Sequence, residues 1–267
     1  MTTKQYPKAR KRFGQNFLHD QSIIDDIVAV IAPKKGQHLV EIGPGRAALT
    51  RPLAENSDQL DVIELDRDLV SLLQVNMSAY QHLTIHQADA LNFDYRTLIT
   101  QQEQLRVVGN LPYNITTPLL FHLLGQSDCI EDMCFMLQRE VVERICAQPG
   151  SKQYGRLSIM MQYQCQTELV FLVPAEAFEP IPKVESAILY LKPYVKDEYI
   201  GGYVDIDALG KIVTQAFSQR RKTIANTLKK LVTPALIVQA GIALDQRPET
   251  ISISQFVALT RAWLDYH

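Results

Sequence analysis

The chain has 267 residues, of which 46% are hydrophobic and 21% charged, and its formal net charge is −2. This composition suits one large α/β domain with a small appendage and excludes disordered and fibrous classes. A near-neutral total also excludes a uniformly basic polyanion binder, so affinity for nucleic acid has to come from local patches.

The chain opens MTTKQYPKARKRFGQNFL, which is positively charged but has no apolar stretch of signal-peptide length behind it. No uninterrupted apolar run of about 18 residues occurs, so no membrane partner is expected and the protein is expected to be soluble and cytoplasmic. Lys4, Lys8, Arg10, Lys11 and Arg12 make a first basic patch, with no acid among residues 1–12.

Short β-rich runs follow: HLVEI, LDVIE, LTIHQ, LRVVG and DMCFML, separated by stretches with helical apolar spacing. This alternation predicts an α/β, doubly wound fold, a mainly parallel sheet with helices on both faces. TELVFLV and SAILYLKPY are two more strand-like runs, and the proline-bearing PAEAFEPIPKVE between them suggests that the sheet ends with differently connected strands. Cys129, Cys134, Cys146 and Cys165 have neither paired spacing nor a histidine cluster, so buried thiols are expected, without zinc or a disulfide framework.

After Lys192 the polar, glycine-containing PYVKDEYIGGYVD reads as a connector, with domains expected over 1–195 and 202–267. From Asp205 only helical pattern remains, in DALGKIVTQAF, RKTIANTLKKLV, PALIVQAG and SQFVALTRAWLDY, broken by Pro234, Gly241 and Pro248. The tail is therefore expected to be a small all-α domain. A second acid-free basic patch falls in it: Arg220, Arg221 and Lys222 at the start of a predicted helix, with Lys229 and Lys230 two turns onward.

The strand ends carry the chemistry. LVEIGPGRAALT, residues 39–50, runs from a buried strand through a glycine turn into a helix, and Gly43 and Gly45 allow a tight bend and close approach of a ligand. The dinucleotide fingerprint wants a third glycine where Ala48 stands, which argues against NAD. Glu64 closes the next strand 21 residues after Gly43, the place of an acid that accepts ribose hydroxyls. Asp89 follows the third strand, where a carboxylate can bond an adenine amino group. Each feature alone is also explained as a turn glycine or a helix cap; their shared order along the sheet points to a nucleoside site.

GNLPYN, residues 109–114, ends the fourth strand and resembles the N/D-P-P-Y/F signature of methyltransferases that act on exocyclic amino groups with S-adenosylmethionine as donor. An adenine amino nitrogen is a poor nucleophile because its lone pair is delocalised into the ring. The side-chain oxygen of Asn110 and a backbone carbonyl near Leu111 can accept its two N–H bonds, which favours the pyramidal geometry that frees the lone pair. Pro112 fixes the turn that aims these acceptors, and Tyr113 offers a face for the base. Position and dipoles then suffice without a strong base. A target base has to leave its stack to reach such a site, and Phe178 is a candidate second wall for it.

The likeness extends further. RKRFGQNFLHD, VEIGPG, VIELDRDL, GNLPYNITTPLLFHLL, YGRLS, FEPIPKVESA and FSQRRKTIANTL together resemble the bacterial small-subunit ribosomal RNA adenine dimethyltransferase family over nearly the whole chain. That resemblance implies a Rossmann-like class I methyltransferase with a seven-stranded, mostly parallel sheet and a helical C-terminal RNA-binding domain. It implies S-adenosylmethionine as cofactor, S-adenosylhomocysteine as product, and no metal. It further implies dimethylation of two adjacent adenosines in the hairpin near the 3′ end of 16S RNA, late in assembly of the 30S particle, by a monomer. The family's Q-x-F-L cofactor cover matches Gln15, Asn16, Phe17 and Leu18; the other cofactor positions match Gly43, Gly45, Glu64, Asp89, Ala90 and Asn110. The catalytic turn matches Asn110, Leu111, Pro112 and Tyr113, and the stacking aromatic matches Phe178. Arg46 stands where the family commonly has leucine, and Ala47 where glycine is frequent, although alanine still permits a helix start. A large-subunit methyltransferase conferring antibiotic resistance, a DNA methyltransferase and a mainly non-catalytic assembly factor remain as alternatives. YGRLS and FSQRRKTIANTL favour the small-subunit enzyme.

Overall fold

A computed structural model describes residues 15–100, 103–219 and 221–267. The first basic patch, Lys4, Lys8, Arg10, Lys11 and Arg12, and Arg220 of the second lie outside the described residues. The chain divides into two compact units. The first runs to Val142 and resumes over Glu168–Pro193; the second comprises Glu143–Thr167 and Tyr194–His267.

The first unit begins with β1 (Phe17–Leu18) and α1 (Gln21–Ile31). Asp20 caps α1 by accepting from the backbone N–H groups of Ser22 and Ile23, and the helix buries Ile24, Ile27 and Ile31 along one face. There follow β2 (His38–Ile42), α2 (Thr50–Asn56), β3 (Gln59–Glu64), α3 (Arg67–Asn76), β4 (Leu83–Gln87), β5 (Leu105–Asn110), α4 (Thr116–Leu124), β6 (Ile130–Gln138) and α5 (Arg139–Ile145). After a helix of the second unit, α6 (Arg156–Gln164), come β7 (Cys165–Val173), β8 (Phe178–Glu179) and β9 (Ser186–Pro193).

Seven strands form one sheet in the order β4-β3-β2-β5-β6-β9-β7. The β2–β3, β3–β4, β2–β5 and β5–β6 pairs are parallel, whereas β6 and β9 run antiparallel. The expected strands are thus all present, and the differently connected end of the sheet is there. β2 has all five residues buried, as a strand covered on both faces must be, whereas β4 at the sheet edge is only partly covered. The order reverses between β2 and β5, and a crevice opens beyond their carboxyl ends. Here close approach demands a glycine: a Cβ on Gly109 would collide with the carbonyl oxygen of Ile42.

The sequence pattern gave no sign of a second, two-stranded sheet. β1 pairs antiparallel with β8, Phe17 opposite Glu179 and Leu18 opposite Phe178.

The second unit adds α7 (Ile206–Ala216), α8 (Ile224–Leu228), α9 (Pro234–Gln239) and α10 (Ile253–Tyr266) to α6. Residues 143–167, placed by the sequence reading in the first domain, belong here through specific contacts. Gly150 N–H donates to the Glu249 carbonyl at 2.6 Å, and the Tyr154 hydroxyl donates to the Ile251 carbonyl at 3.0 Å. Asp205 caps α7, and Ser252 with Gln255 forms a capping box on α10. α8 is shorter than predicted: the chain turns at Lys229–Val232, and Pro234 disfavours helical backbone at Thr233. Arg221 and Lys222 therefore precede a five-residue helix and Lys229 and Lys230 follow it, rather than riding one long helical face.

Cys129, Cys134 and Cys165 are buried thiols and Cys146 is partly exposed. Burial pushes Cys134 and Cys165 up to about 12, far from nucleophilic use at neutral pH. Among the described residues no helix is long and apolar enough to cross a membrane.

Candidate active site

The crevice at the β2/β5 switch point deepens into a cavity of about 200 Å³. Its wall draws on the cover segment, the glycine turn, the ends of β3 and β4, and the turn after β5, and so brings together Gln15, Asn16, Leu18, Gly43, Gly45, Glu64, Asp89, Ala90 and Asn110 through Tyr113.

The glycine turn is held left-handed at Gly43 (φ 68°) and Gly45 (φ 55°). A Cβ on Gly43 would stand 3.6 Å from the Asn110 carbonyl oxygen, and one on Gly45 would stand 3.2 Å from the Phe17 ring. Ala47 also has positive φ, 68°, and closes the turn with its N–H on the Pro44 carbonyl at 2.8 Å. The helix accordingly begins at Thr50, later than an alanine helix start at 47 would place it.

Glu64 accepts the Asp66 N–H at 2.8 Å and the Gly45 N–H at 3.4 Å, so backbone donors on two elements fix its carboxylate. Burial raises its pKa above the ordinary value, against the pull of those N–H groups. Asp89 accepts from the Leu91 N–H and the Asn92 side-chain amide, both at 3.0 Å, and so organises the turn after β4 while bordering the cavity.

At the turn after β5, Leu111 N–H donates to the Met136 carbonyl at 3.2 Å, and the Pro112 carbonyl accepts from the Ile115 N–H at 3.2 Å. Asn110 donates through Nδ2 to the Asn16 carbonyl at 3.2 Å, so its amide oxygen is the group left to act as acceptor. The Tyr113 hydroxyl lies 3.1 Å from Ser186 Oγ on β9, which fixes its ring beside the turn.

Phe178 stands elsewhere. Its side chain is 1% exposed, packed opposite Leu18 in the β1–β8 pair, and is not part of the cavity wall. Arg221, Lys222, Lys229 and Lys230 are exposed in the second unit.

One wall residue escaped the sequence reading. Glu41 on β2 is 2% exposed, and among the described residues its Oε2 has no hydrogen-bond partner. Burial pushes its carboxyl up to about 8; the Thr50 hydroxyl draws it part of the way back without a hydrogen bond of normal geometry, and the Glu64 charge raises it further. The signal in the sequence was one acid inside an otherwise apolar run just before the glycine turn. A buried acceptor without a partner suits a cationic ligand. With the glycine cradle and the fixed Glu64 carboxylate, the wall fits the sulfonium nucleoside that the resemblance implies.

A mostly parallel sheet with this order, a glycine turn after β2, an acid at the end of β3 and an Asn-Leu-Pro-Tyr turn after β5 define a Rossmann-like methyltransferase. Two solved structures share the fold: the 23S rRNA methyltransferase ErmE, with TM-score 0.72, 24% identity and coverage of 92% of this chain and 99% of that one, and a dimethyladenosine transferase from Plasmodium falciparum, with TM-score 0.74, 22% identity and coverage of 91% and 95%. Residues 6–263 match the family described as ribosomal RNA adenine dimethylase, and the chain belongs to that family. Relatives named ribosomal RNA small subunit methyltransferase A are 52% identical in Nitrosococcus oceani, over 96% of this chain and 97% of the relative, and 54% identical in Acinetobacter baylyi, over 95% and 92%.

Proposed function

We propose that this chain dimethylates the amino groups of two adjacent adenosines in the hairpin near the 3′ end of small-subunit ribosomal RNA, with S-adenosylmethionine as donor. Membership of the adenine dimethylase family supports the reaction, and relatives of about half identity named for the small subunit support the substrate. The observation that carries the reading is Asn110, whose amide nitrogen is committed to the Asn16 carbonyl and whose oxygen serves at the switch point as acceptor for an adenine amino group.

The bound cofactor supplies a methyl group on sulfur that is electrophilic without help from a metal. Glu64 holds the ribose hydroxyls, Asp89 and Ala90 border the adenine, and Glu41 faces the cationic end. Gln15, Asn16 and Leu18 cover the ligand. Asn110 and the Leu111 carbonyl take the two N–H bonds of the target and stabilise charge developing on its nitrogen. Pro112 sets the turn and Tyr113 stacks on the base. Phe178, buried in β8, serves as the second wall once the β1–β8 pair shifts to expose its ring. Arg221, Lys222, Lys229 and Lys230, with Arg220, contact RNA phosphates and position the substrate without reading its sequence. The working form is a cytoplasmic monomer on an assembling 30S particle.

The test is transfer of labelled methyl groups to purified small subunits lacking the modification, with the product nucleoside identified by mass. Dimethyladenosine from the wild type, and none from Asn110→Ala, is the expected result. Methylation of large subunits alone would overturn the substrate assignment, and cofactor binding without transfer to either subunit would favour a binding role.

A further inference from the structure

The segment of residues 15–19 is tied to three other parts of the first unit. Gln15 donates from Nε2 to Asp66 at 3.3 Å, the Asn16 carbonyl accepts from Asn110 at 3.2 Å, and His19 N–H donates to the Ala177 carbonyl at 2.9 Å. Between these contacts β1 pairs with β8, which leads into the loop of residues 180–185. The cover over the cofactor and the strand that carries Phe178 are thus one small sheet.

Arg46, next to Gly45 on the cofactor turn, reaches both strands of that sheet. Its guanidinium carbon lies 4.2 Å from the centroid of the Phe17 ring, and Nη1 lies 3.5 Å from Glu179 Oε2. Phe17 is 7% exposed, so the stack onto it is largely shielded from water. The Glu179 side chain is 73% exposed, so the ion pair contributes little. The stack is therefore the stronger contact, and it joins the turn that bends around the cofactor to the strand that covers it.

We infer that Arg46 is a positioning residue that latches the β1–β8 sheet onto the glycine turn and thereby sets how long cofactor and product stay bound. The inference rests on the cofactor reading above. Such a latch acts on dissociation: it stabilises the closed cover without touching the reacting atoms. Removing it shortens the residence of donor and product, so the KM for the donor rises. Because Phe178 is itself a residue of β8 in that small sheet, the latch also restrains the movement that exposes its ring to a target base.

The experiment compares wild type with Arg46→Gln, Arg46→Lys, Phe17→Leu, Glu179→Gln and the Arg46→Gln/Phe17→Leu pair. The readouts are stopped-flow dissociation of S-adenosylhomocysteine and hydrogen exchange at the His19 amide in ligand-free protein. Arg46→Gln is expected to speed dissociation by about fivefold and to speed exchange at His19 while exchange in β2 and β5 stays as in wild type. Arg46→Lys recovers part of the effect, since an ammonium lacks the flat stacking face. Phe17→Leu matches Arg46→Gln, the pair exceeds neither, and Glu179→Gln changes the rate by less than about twofold. Unchanged dissociation in Arg46→Gln would overturn the latch, and so would exchange that quickens equally throughout the first unit, which marks a merely structural loss. A wild type that binds neither S-adenosylmethionine nor S-adenosylhomocysteine would instead overturn the cofactor reading on which the latch depends.

Discussion

Asn110 donates its side-chain N–H to the backbone carbonyl of Asn16 across 3.2 Å, tying the Asn-Leu-Pro-Tyr turn after β5 to the segment that leads into β1. The bond commits the amide nitrogen to Asn16 and leaves the oxygen as the acceptor for the base in the proposed reaction. Asn110→Asp keeps an acceptor but sets a second oxygen against the Asn16 carbonyl. Methyl transfer is expected to fall by about 100-fold or more, the scale of losing one preorganised group at a reacting centre, and donor affinity to weaken with it. Asn110→Ala loses transfer to the same degree with a smaller change in affinity, because no repulsion is introduced. Single-turnover transfer and calorimetric titration separate the two effects. An Asp variant within threefold of wild type would sink the orientation argument.

Ala47 occupies left-handed backbone with φ 68° in the turn that follows Gly45. A residue with a Cβ is strained there by roughly 1–2 kcal/mol, and glycine returns part of that gain through its freer unfolded chain. Ala47→Gly is expected to stabilise the protein by about 0.5–1 kcal/mol, a rise in Tm of about 2 °C at this chain length. Differential scanning calorimetry checks it; an unchanged or lower Tm would show that the turn holds no strain for glycine to relieve.

Glu41 gives a pH dependence whose sign follows from its raised pKa. The folded carboxyl titrates at about 8 and the unfolded one near 4.5. Between those values the unfolded state loses the proton that the folded state keeps. The stability this group contributes is therefore complete below about pH 4.5 and lost as pH climbs through 8. Glu41→Gln is expected to flatten the pH dependence of Tm over that window in ligand-free protein, with its largest relative gain at the alkaline end. A cationic ligand beside Glu41 lowers its pKa, so binding S-adenosylmethionine at pH 7 should release a proton. Titration in buffers of different ionisation heat detects the release in wild type, and Glu41→Gln should abolish it. Parallel pH profiles for the two proteins would remove Glu41 as the titrating group.

The strand ends were legible because each physical cause is local. Glycines at a bend, an acid closing a buried run and a rigid Asn-Leu-Pro-Tyr turn each announce themselves within a few residues, and the parallel order of the sheet places them around one crevice. What escaped depends on partners distant in sequence. β1 and β8 are two residues each, too short for a periodicity, and each exists only because the other pairs with it across about 160 residues. Glu41 is hidden for a similar reason: a strand buried along its whole length shows no alternation, so its carboxylate carries no sign of facing a cavity rather than packed side chains. Phe178 is an aromatic whose sequence setting suggests a ligand wall, yet it is buried in a core cluster with residues distant in sequence, among them Leu18, Met136 and Ile188. The end of α8 at Leu228 is hidden for another reason: Val232 is buried after the turn just as it would be on a continuing helix, so the apolar pattern does not register the break.

The basic residues around α8 give the last prediction. Arg221 and Lys222 precede the helix, Lys229 and Lys230 follow it, and all four are exposed while Ile224, Thr227 and Leu228 pin the helix from beneath. Cations held on a fixed segment of a chain with net charge −2 act locally on phosphates rather than as a general polyanion surface. Each phosphate contact contributes about 0.7–0.9 to the slope of log affinity against log salt concentration. Replacing all four by glutamine is expected to lower the slope for small-subunit RNA by about 3, and replacing either pair by about half as much. S-adenosylmethionine affinity should not change, since none of the four lines the cavity. Filter binding across a salt series provides the slopes. A slope lost wholly with one pair would confine the contact to one end of the helix. An unaltered slope in the quadruple variant would show that the patch is solvated surface and that RNA is held by other residues.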